Sequence, residues 1–519
     1  MDSSPRKTTT LIRTICPLLV LLLLVVNGIG LIFGWRLMAD FDENRDLAKA
    51  PQWSGSLPQY LRAFDAFVKD NFPLRKPFLL GYNSSLYYGF RSSSHPRVVI
   101  GRNGWIFDSG DTKTELRHLP ARYLRRLRIG LEERRDWLAE QGAVFLFMFY
   151  PTKTTAYGER YLPSHARLDS DYVSPTGQAA QSLGPGLAAN FVAIEQPLRE
   201  AATRSDGYYF LTDGHATHEG AFLAVEKLCE QLRSSHSLVP LTSFPAHEFK
   251  LDLLYPTSAG RLMGVPLREM SQVRVPNGGF NTKPTALPAA IARAAADQPE
   301  TQYFANPKVT ESRLVLLGDS FTDRMNFYLG ESFSEVISIN LNNSPATPDG
   351  KFPIALLKAF KPNVVVTAYL EARLLESASG IEKDLVPLLN PPEVRQSRLR
   401  RLFDGAREST QPVHFTPFVC DNKTIACIVV PNGGIPDQDE LLLQLEYRGE
   451  KPITLYWDNP TDSLPGEQKE IVLGPDRRKA FIFLPRIKAG ALDVLRTDQT
   501  EFDESHLSGE GVWVNSTDL

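Results

Sequence analysis

The sequence has little excess charge of either sign. Its 57 lysines and arginines against 60 aspartates and glutamates leave a net charge of −3. Because no basic cluster occurs outside the N-terminus, the pattern does not favour a nucleic acid as a partner. Internal repeats and long low-complexity segments are also lacking. An apolar fraction of 42% is typical of a globular protein, and 519 residues predict two or three domains.

Cysteine is scarce, with four residues in the chain. Cys229 lies in an apolar helical pattern and is predicted to be a buried thiol. Cys420 and Cys427 flank a predicted turn at residues 421–426, and in an oxidising compartment they could form a disulfide across that hairpin. Two independent thiols are the alternative, because sequence does not show whether the Cβ atoms face each other.

Long apolar runs are rare, but one stands at the N-terminus, where residues 15–35 contain no charged side chain. A helix of about 20 apolar residues spans a bilayer core of roughly 30 Å. Basic residues precede the run, so the N-terminus is predicted to be cytoplasmic and the chain beyond residue 37 periplasmic or otherwise extracytoplasmic. No small-x-small cleavage site follows, which favours a single-pass anchor in the cytoplasmic membrane over the alternatives, a cleaved signal or a buried helix.

Sequence texture divides the chain into four parts. Residues 1–36 form the cytoplasmic stub and anchor, and residues 37–95 have the helical spacing of a stalk or cap. Residues 96–395 alternate strand and helix signals, which predicts an α/β domain with a parallel sheet flanked by helices. Residues 396–519 contain short alternating strands separated by turns, which predicts an all-β sandwich.

A candidate nucleophile follows one apolar strand. Residues 314–317 are apolar and lead into Gly318, Asp319 and Ser320. Since functional groups collect at the carboxyl ends of parallel strands, Ser320 is expected at the functional rim of the sheet. Gly318 permits a tight turn, and a helix beginning after Ser320 would aim backbone N–H groups at a developing oxyanion. The alternative is a helix-capping serine at an ordinary strand–helix junction.

A candidate base and acid lie upstream of the serine. A nucleophilic serine needs a base, and the base needs an acid that orients it. Asp213 and His215 are two positions apart on a predicted loop, so both side chains could reach Ser320. A turn-capping aspartate and a solvated histidine are the alternative. His215, His218 and Glu219 have part of a metal-ligand spacing, but no third and fourth ligands are evident, so no metal is predicted.

Other residues are candidates for the oxyanion hole or for substrate binding. The Ser320 N–H is the natural first oxyanion donor. The remaining candidates are polar side chains near the predicted strand ends or the pocket: Asn340, Asn342, Arg324, Arg373, His218 and Tyr369. In the C-terminal part, Tyr456, Trp457 and Trp513 could stack on sugars, or they could be core residues of the strands.

Several motifs together resemble the SGNH-like alginate O-acetyltransferase family, over roughly residues 35–380. The matching segments are 43–45, 71–75, 100–107, 150–153, 157, 161–163, 213–215 and 318–321. In ordinary SGNH esterases the serine precedes the Asp-x-x-His segment, whereas here Asp213 and His215 precede Ser320, as in that family. Residues 213–216 read Asp-Gly-His-Ala where the family usually has Asp-Thr-His-Trp, and residues 369–373 approximate its Glu-Arg pair.

The resemblance implies an SGNH-hydrolase-like fold and an acetyl group carried on Ser320. His215 would be the general base, Asp213 its orienting acid, and the acceptor a hydroxyl of an exported polysaccharide or cell-envelope glycan. No cofactor is expected, since a membrane partner protein or an acetyl ester would supply the acetyl group. The alternatives are a carbohydrate deacetylase with the same three residues and a non-catalytic glycan-binding or assembly component.

Overall fold

The structure is a computed structural model of the chain. It describes residues 17–18, 21–30, 47–53, 55–112, 118–168, 172–236, 247–254, 257–309, 312–345, 347–379, 390–405, 411–420, 424–431, 439–457, 470–475, 477–484, 486–488, 491–492, 495–497 and 507–515.

The predicted membrane anchor lies partly outside these residues. Within it, residues 17–18 and 21–30 are helical. No helix among the described residues has the length and apolar character needed to cross a membrane.

The helices and strands are numbered in chain order. The helices are α1 (Leu57–Asn71), α2 (Arg75–Ser84), α3 (Ser109–Thr112), α4 (Ala121–Glu140), α5 (Lys153–Tyr161), α6 (Pro175–Ser182), α7 (Pro185–Ala188), α8 (Glu195–Arg204), α9 (His218–His236), α10 (Ser258–Met263), α11 (Ala289–Ala294), α12 (Asn326–Ser332), α13 (Pro348–Lys351), α14 (Ile354–Phe360), α15 (Ala372–Ser379) and α16 (Pro392–Gly405). The strands are β1 (Val98–Ile100), β2 (Ile106–Asp108), β3 (Val144–Tyr150), β4 (His247–Leu254), β5 (Glu269–Pro276), β6 (Lys283–Thr285), β7 (Thr301–Ala305), β8 (Arg313–Gly318), β9 (Glu335–Asn340), β10 (Val364–Leu370), β11 (Gln411–Cys420), β12 (Thr424–Pro431), β13 (Asp439–Tyr447), β14 (Ile453–Trp457), β15 (Glu470–Leu473), β16 (Lys479–Leu484), β17 (Arg486–Lys488), β18 (Ala491–Leu492), β19 (Leu495–Thr497) and β20 (Leu507–Asn515).

The central sheet has six strands in the order β3-β10-β8-β9-β7-β6. Strands β3, β10, β8 and β9 are parallel, whereas β7 pairs with β9 and β6 with β7 in antiparallel fashion. The predicted α/β architecture is confirmed, but the sheet is mixed instead of parallel throughout. A parallel crossover needs a dozen or more residues. The short link from Ala305 to Arg313 therefore sends β8 in the direction opposite to β7.

Both faces of this sheet are buried, which explains the continuous apolar runs of its strands. On β8, Leu314 and Leu316 pack into the cluster on one face, and Val315 and Leu317 into the cluster on the other. Helix α9 supplies part of the first cluster, including Cys229, which is a buried free thiol as predicted. The two clusters hold the carboxyl ends of the strands in a fixed arrangement.

The C-terminal part is all β, as predicted, but its main strands form one sheet. Eight antiparallel strands pair in the order β15-β14-β19-β12-β11-β20-β13-β16. Leu443 of β13 shares one apolar cluster with Leu455 and Leu473, which lie near the opposite end of that order. The sheet therefore curls onto itself where the sequence predicted two stacked sheets. Its outer face packs on α16 through Phe403 and Phe481.

The register of β11 and β12 bears on the predicted disulfide. Cys420 pairs with Thr424 and Cys427 pairs with Pro417, so the two cysteines are not cross-strand partners. Three residue steps along a ladder correspond to about 10 Å, which exceeds the usual Cα separation of a disulfide. The register therefore does not support a bridge between Cys420 and Cys427.

Gly318, at the end of β8, lies close to the backbone of β10. A Cβ atom at position 318 would lie 2.5 Å from the carbonyl oxygen of Ala368 on β10. We expect Gly318→Ala to lower the free energy of unfolding by about 1–3 kcal/mol, because the backbones must move apart. Urea denaturation followed by circular dichroism measures this.

The matched control is Gly81→Ala in α2, where an added Cβ meets nothing within 4 Å. This change should be neutral or stabilise by up to about 1 kcal/mol, since alanine favours helices over glycine. Equal stability of the two variants would contradict the proposed crowding at Gly318.

Candidate active site

The turn after β8 presents Ser320 at the carboxyl edge of the sheet. A short 3-10 helix, Ser320–Met325, follows directly. Asp319 caps it, accepting hydrogen bonds from Phe321 N at 3.0 Å and, with its other oxygen, from Leu370 N at 2.8 Å. The capping residue is therefore Asp319, and the alternative interpretation of Ser320 as the cap is wrong.

Ser320, His215 and Asp213 form one hydrogen-bonded chain. The serine Oγ lies 2.9 Å from His215 Nε2, and His215 Nδ1 lies 2.6 Å from Asp213 Oδ1. The Asp213 side chain is 3% exposed and that of His215 is 27% exposed. A buried acid, a partly accessible imidazole and a hydroxyl in this order have the geometry of a nucleophile activated by an oriented base.

The carboxylate of Asp213 is held in its ionised form. Burial by itself would raise its pKa. Hydrogen bonds from the His215 ring and from the backbone N–H groups of Ser258 and His215 outweigh burial and hold the pKa of Asp213 well below its usual range. The carboxylate thus remains available to orient the imidazole and to stabilise an imidazolium.

His218 and Arg324 lie beside these three residues. His218 Nε2 is 3.3 Å from Asp252 of β4, and burial, assisted by the nearby Arg324 charge, lowers the pKa of His218. The Arg324 guanidinium stacks over the Phe210 ring at 4.9 Å. The structure therefore brings both candidates close to the site.

A second group of candidates lies where β9 and β10 end. Asn340 Oδ1 accepts from Asn342 N at 3.1 Å, and Arg373 donates to Asn342 Oδ1 at 3.1 Å. Arg373 is also 3.9 Å from Asp319, so this group adjoins the turn that carries Ser320.

Tyr369 is placed differently from the sequence prediction. Its side chain is 3% exposed, packs in the apolar cluster that contains Val315 and Leu317, and has a pKa that burial raises to about 12. Alternation along β10 turns it into the core, whereas Ala368 packs on the opposite face of the sheet, with Phe321. The structure therefore does not support Tyr369 as a substrate-contacting residue.

Among the aromatic candidates of the C-terminal sheet, Trp513 is separated from the other two. Tyr456 and Trp457 belong to β14 and Trp513 to β20, with three strands between them in the sheet order. Their side chains lie outside the described residues, so their role in glycan binding stays a prediction. Among the residues that are described, no cluster of three or more His, Cys, Asp or Glu side chains is arranged to hold a metal ion.

Sequence reasoning assigned no role to two residues near the site. Ser258 begins α10 and binds the 213–214 segment twice, through its N–H to Asp213 and through its Oγ, which accepts from Gly214 N at 3.0 Å. Glu371 is fully buried and accepts from Thr152 N at 2.7 Å and Thr176 Oγ1 at 2.9 Å. Ser258 stands in no sequence pattern with Ser320. Glu371 lies in the segment 369–373, whose likeness to the Glu-Arg pair of the family was a signal for it.

Comparison with known proteins gives a family. Residues 98–361, more than half of the chain, match the family described as "SGNH hydrolase-like domain, acetyltransferase AlgX". The probable alginate O-acetylase AlgJ of Pseudomonas aeruginosa is 26% identical over 332 residues, which cover 59% of this chain and 74% of that protein. The family resemblance indicated by the motifs is thereby confirmed.

Solved structures with low sequence identity also match. The O-acetyltransferase domain of Pseudomonas putida AlgJ is 18% identical, with 54% of this chain and 93% of that chain covered and a TM-score of 0.36. Bacillus cereus PatB1 with a sulfonyl adduct is 16% identical, with 53% and 95% covered and a TM-score of 0.41.

Asp319 uses both of its carboxylate oxygens as hydrogen-bond acceptors. An asparagine can accept only one of these hydrogen bonds well, since its NH₂ group would face the other N–H donor. We expect Asp319→Asn to lower the free energy of unfolding by about 1–3 kcal/mol and to slow reactions of Ser320, because the turn shifts. Chemical denaturation and the rate of Ser320 modification by a sulfonyl fluoride measure the two effects.

Asp297→Asn, at an exposed position, removes the same charge without a buried contact and serves as the control. If Asp319→Asn matches this control in both stability and modification rate, Asp319 does not fix the turn.

Proposed function

Since the chain belongs to the family of SGNH hydrolase-like acetyltransferases, we propose that it transfers acetyl groups to hydroxyls of an exported polysaccharide or other cell-envelope glycan. The observation that carries this proposal is the hydrogen-bonded chain of Ser320, His215 and Asp213 at the edge of the sheet. The name of its relative AlgJ, a probable alginate O-acetylase, supports a glycan acceptor.

The first half-reaction acetylates Ser320. His215 Nε2 accepts the Ser320 hydroxyl proton as the oxygen attacks the acetyl carbonyl carbon of the donor ester. The resulting tetrahedral oxyanion accepts a hydrogen bond from the Ser320 N–H. When the intermediate collapses, the bond to the donor oxygen breaks, and His215 returns the proton to that leaving group.

The second half-reaction transfers the acetyl group. A sugar hydroxyl loses its proton to His215 and attacks the acetyl carbonyl, and the Ser320 oxygen leaves and regains the proton. Throughout, the ionised Asp213 holds the imidazole tautomer and stabilises the imidazolium. No cofactor takes part in this scheme.

Residues around the triad are proposed to bind the substrates. Arg324 and the Asn342–Arg373 pair carry donor groups beside the Ser320 turn, and each is a candidate for the second oxyanion donor or for a sugar contact. His218 lies near Arg324. Asn340 orients Asn342 by accepting a hydrogen bond from its N–H.

The proposed location is extracytoplasmic. Residues 15–35, which lack charge, are proposed to anchor the chain in the cytoplasmic membrane, with the basic N-terminus inside. Acetyl-CoA is not expected outside that membrane, so a membrane protein partner is proposed to deliver the acetyl group. The aromatic residues of the C-terminal sheet are proposed to hold the glycan chain.

Substitutions of the triad test the proposal. In the detergent-purified full chain supplied with a small acetyl ester and oligosaccharide acceptors, we expect acetylated sugar as a product. Ser320→Ala and Asp213→Asn should each lower kcat by roughly 10³–10⁴-fold, because the nucleophile or the tautomer of its base is lost. Mass spectrometry of the products measures this.

Ser234→Ala on the exposed side of α9 is the matched control and should keep full activity. Release of acetate without acetylated sugar would identify a deacetylase, and no turnover would leave a binding or assembly role. Full activity of Ser320→Ala would refute the nucleophile.

A further inference from the structure

We propose that Lys153 and Glu269 are positioning residues that grip the backbone at residues 211–212 from two sides and so keep Asp213 and His215 aimed at Ser320. These two residues form a clamp on that backbone. The inference rests on the proposed function, because positioning matters only if the three residues react.

Lys153 supplies one side of the clamp. Its Nζ donates to the carbonyl oxygen of Ile106 at 2.6 Å and to that of Leu211 at 3.2 Å. The same Leu211 oxygen accepts from Ile106 N at 2.9 Å, which ties it to β2. The rings of Trp105 and Phe107 lie 5.6 Å and 5.8 Å from the Nζ, within the range of cation–π attraction.

Burying the Lys153 side chain costs free energy, so its position in the interior requires compensating partners. The residue is 3% exposed, and lysine is almost never buried unless it is paired. Burial lowers the pKa of Lys153 to about 8, while Glu269, Asp213 and Asp111 favour its charged form. At neutral pH the side chain is thus mostly an ammonium, and it donates hydrogen bonds to two carbonyl oxygens of the scaffold beside the site.

Glu269 supplies the other side. Its carboxylate accepts from Leu211 N, from Thr212 N at 2.8 Å and from Thr212 Oγ1 at 2.9 Å. Leu211 therefore has its C=O bound to a cation and its N–H bound to an anion. Charge-assisted hydrogen bonds of this kind are stronger than neutral ones, so the residue before the Asp213 segment is firmly fixed.

The clamp acts together with the segment that returns from β4 to β5. Glu269 begins β5, and Ser258, which begins α10 in that segment, binds Asp213 and Gly214. Leu211, Thr212 and Gly214 are thereby held through their backbone N–H groups, and Asp213 through its carboxylate. Because a misplacement of about 1 Å can cost roughly 10²-fold in rate, loss of the clamp should reduce catalysis although neither clamp residue touches Ser320.

A positioning role differs measurably from a merely structural one. A structural role lowers the folded fraction and leaves kcat per folded molecule unchanged. A positioning role lowers kcat of the folded protein, leaves KM nearly unchanged, and slows the reaction of Ser320 with a sulfonyl fluoride, since that reaction needs the same oriented base.

The experiment uses the full chain with Lys153→Met, Glu269→Gln and Thr212→Val. The first two remove one side of the clamp each, and the third removes one contact without changing charge. For each folded variant, kcat and KM with a small acetyl ester and the rate of Ser320 inactivation by a sulfonyl fluoride are measured. We expect kcat and the inactivation rate to fall together by about 10–100-fold in the first two and by less in Thr212→Val.

The controls are Lys250→Met and Glu248→Gln. These residues form an exposed ion pair on β4, with 59% and 51% of their side chains accessible, and should keep the wild-type rates. Folded clamp variants with wild-type kcat and inactivation rate would overturn the inference alone. If Lys153→Met does not fold, Glu269→Gln and Thr212→Val decide by the same criterion. A wild-type chain without turnover, or a fully active Ser320→Ala, would overturn the proposed function instead.

Discussion

The hydrogen bond between His215 Nε2 and Ser320 Oγ joins residues 105 positions apart, and the surrounding architecture serves to hold its two ends. One end depends on β8, whose alternate residues are locked into clusters on both faces of the sheet. The other depends on the loop before α9, which is closed by hydrogen bonds from Phe210 N to His215 O and from Thr217 N to Tyr208 O. A shift at either end would break the hydrogen bond between His215 and Ser320.

Two buried acidic side chains at the carboxyl edge of the sheet accept hydrogen bonds from several donors. Asp319 is fixed by two backbone N–H groups of the turn and of β10, and Glu371 by donors from the starts of α5 and α6. Removing such charges from water is costly, and hydrogen bonds offset that cost only when nearly all are made. The carboxyl edge of the sheet thus holds its polar side chains in fixed positions, as a preorganised reaction centre requires. Single substitutions of these side chains are expected to disturb it.

The segment formed by β4, α10 and β5 contacts the site with one side and exposes apolar residues on the other. On its inner side, Ser258 binds Asp213 and Asp252 lies within hydrogen-bond distance of His218. Its outer side exposes the apolar residues Phe249, Leu251 and Leu253, which alternate along β4. This element therefore holds the loop that carries His215, whereas the central sheet holds Ser320.

The sequence by itself determined the α/β class, the all-β C-terminal part and the three residues that meet at the edge of the sheet. These follow from local patterns, namely apolar runs, turn residues and the Asp-x-His and Gly-Asp-Ser spacings, and from family resemblance. Only the tertiary structure decided that the sheet is mixed, that Tyr369 turns into the core and that Cys420 and Cys427 are out of register. It also decided that Ser258 binds Asp213 and that Lys153 and Glu269 bind the residues just before it. The physical reason is that strand direction, register and contacts between distant backbone groups depend on how elements pack together, and no local pattern encodes that packing.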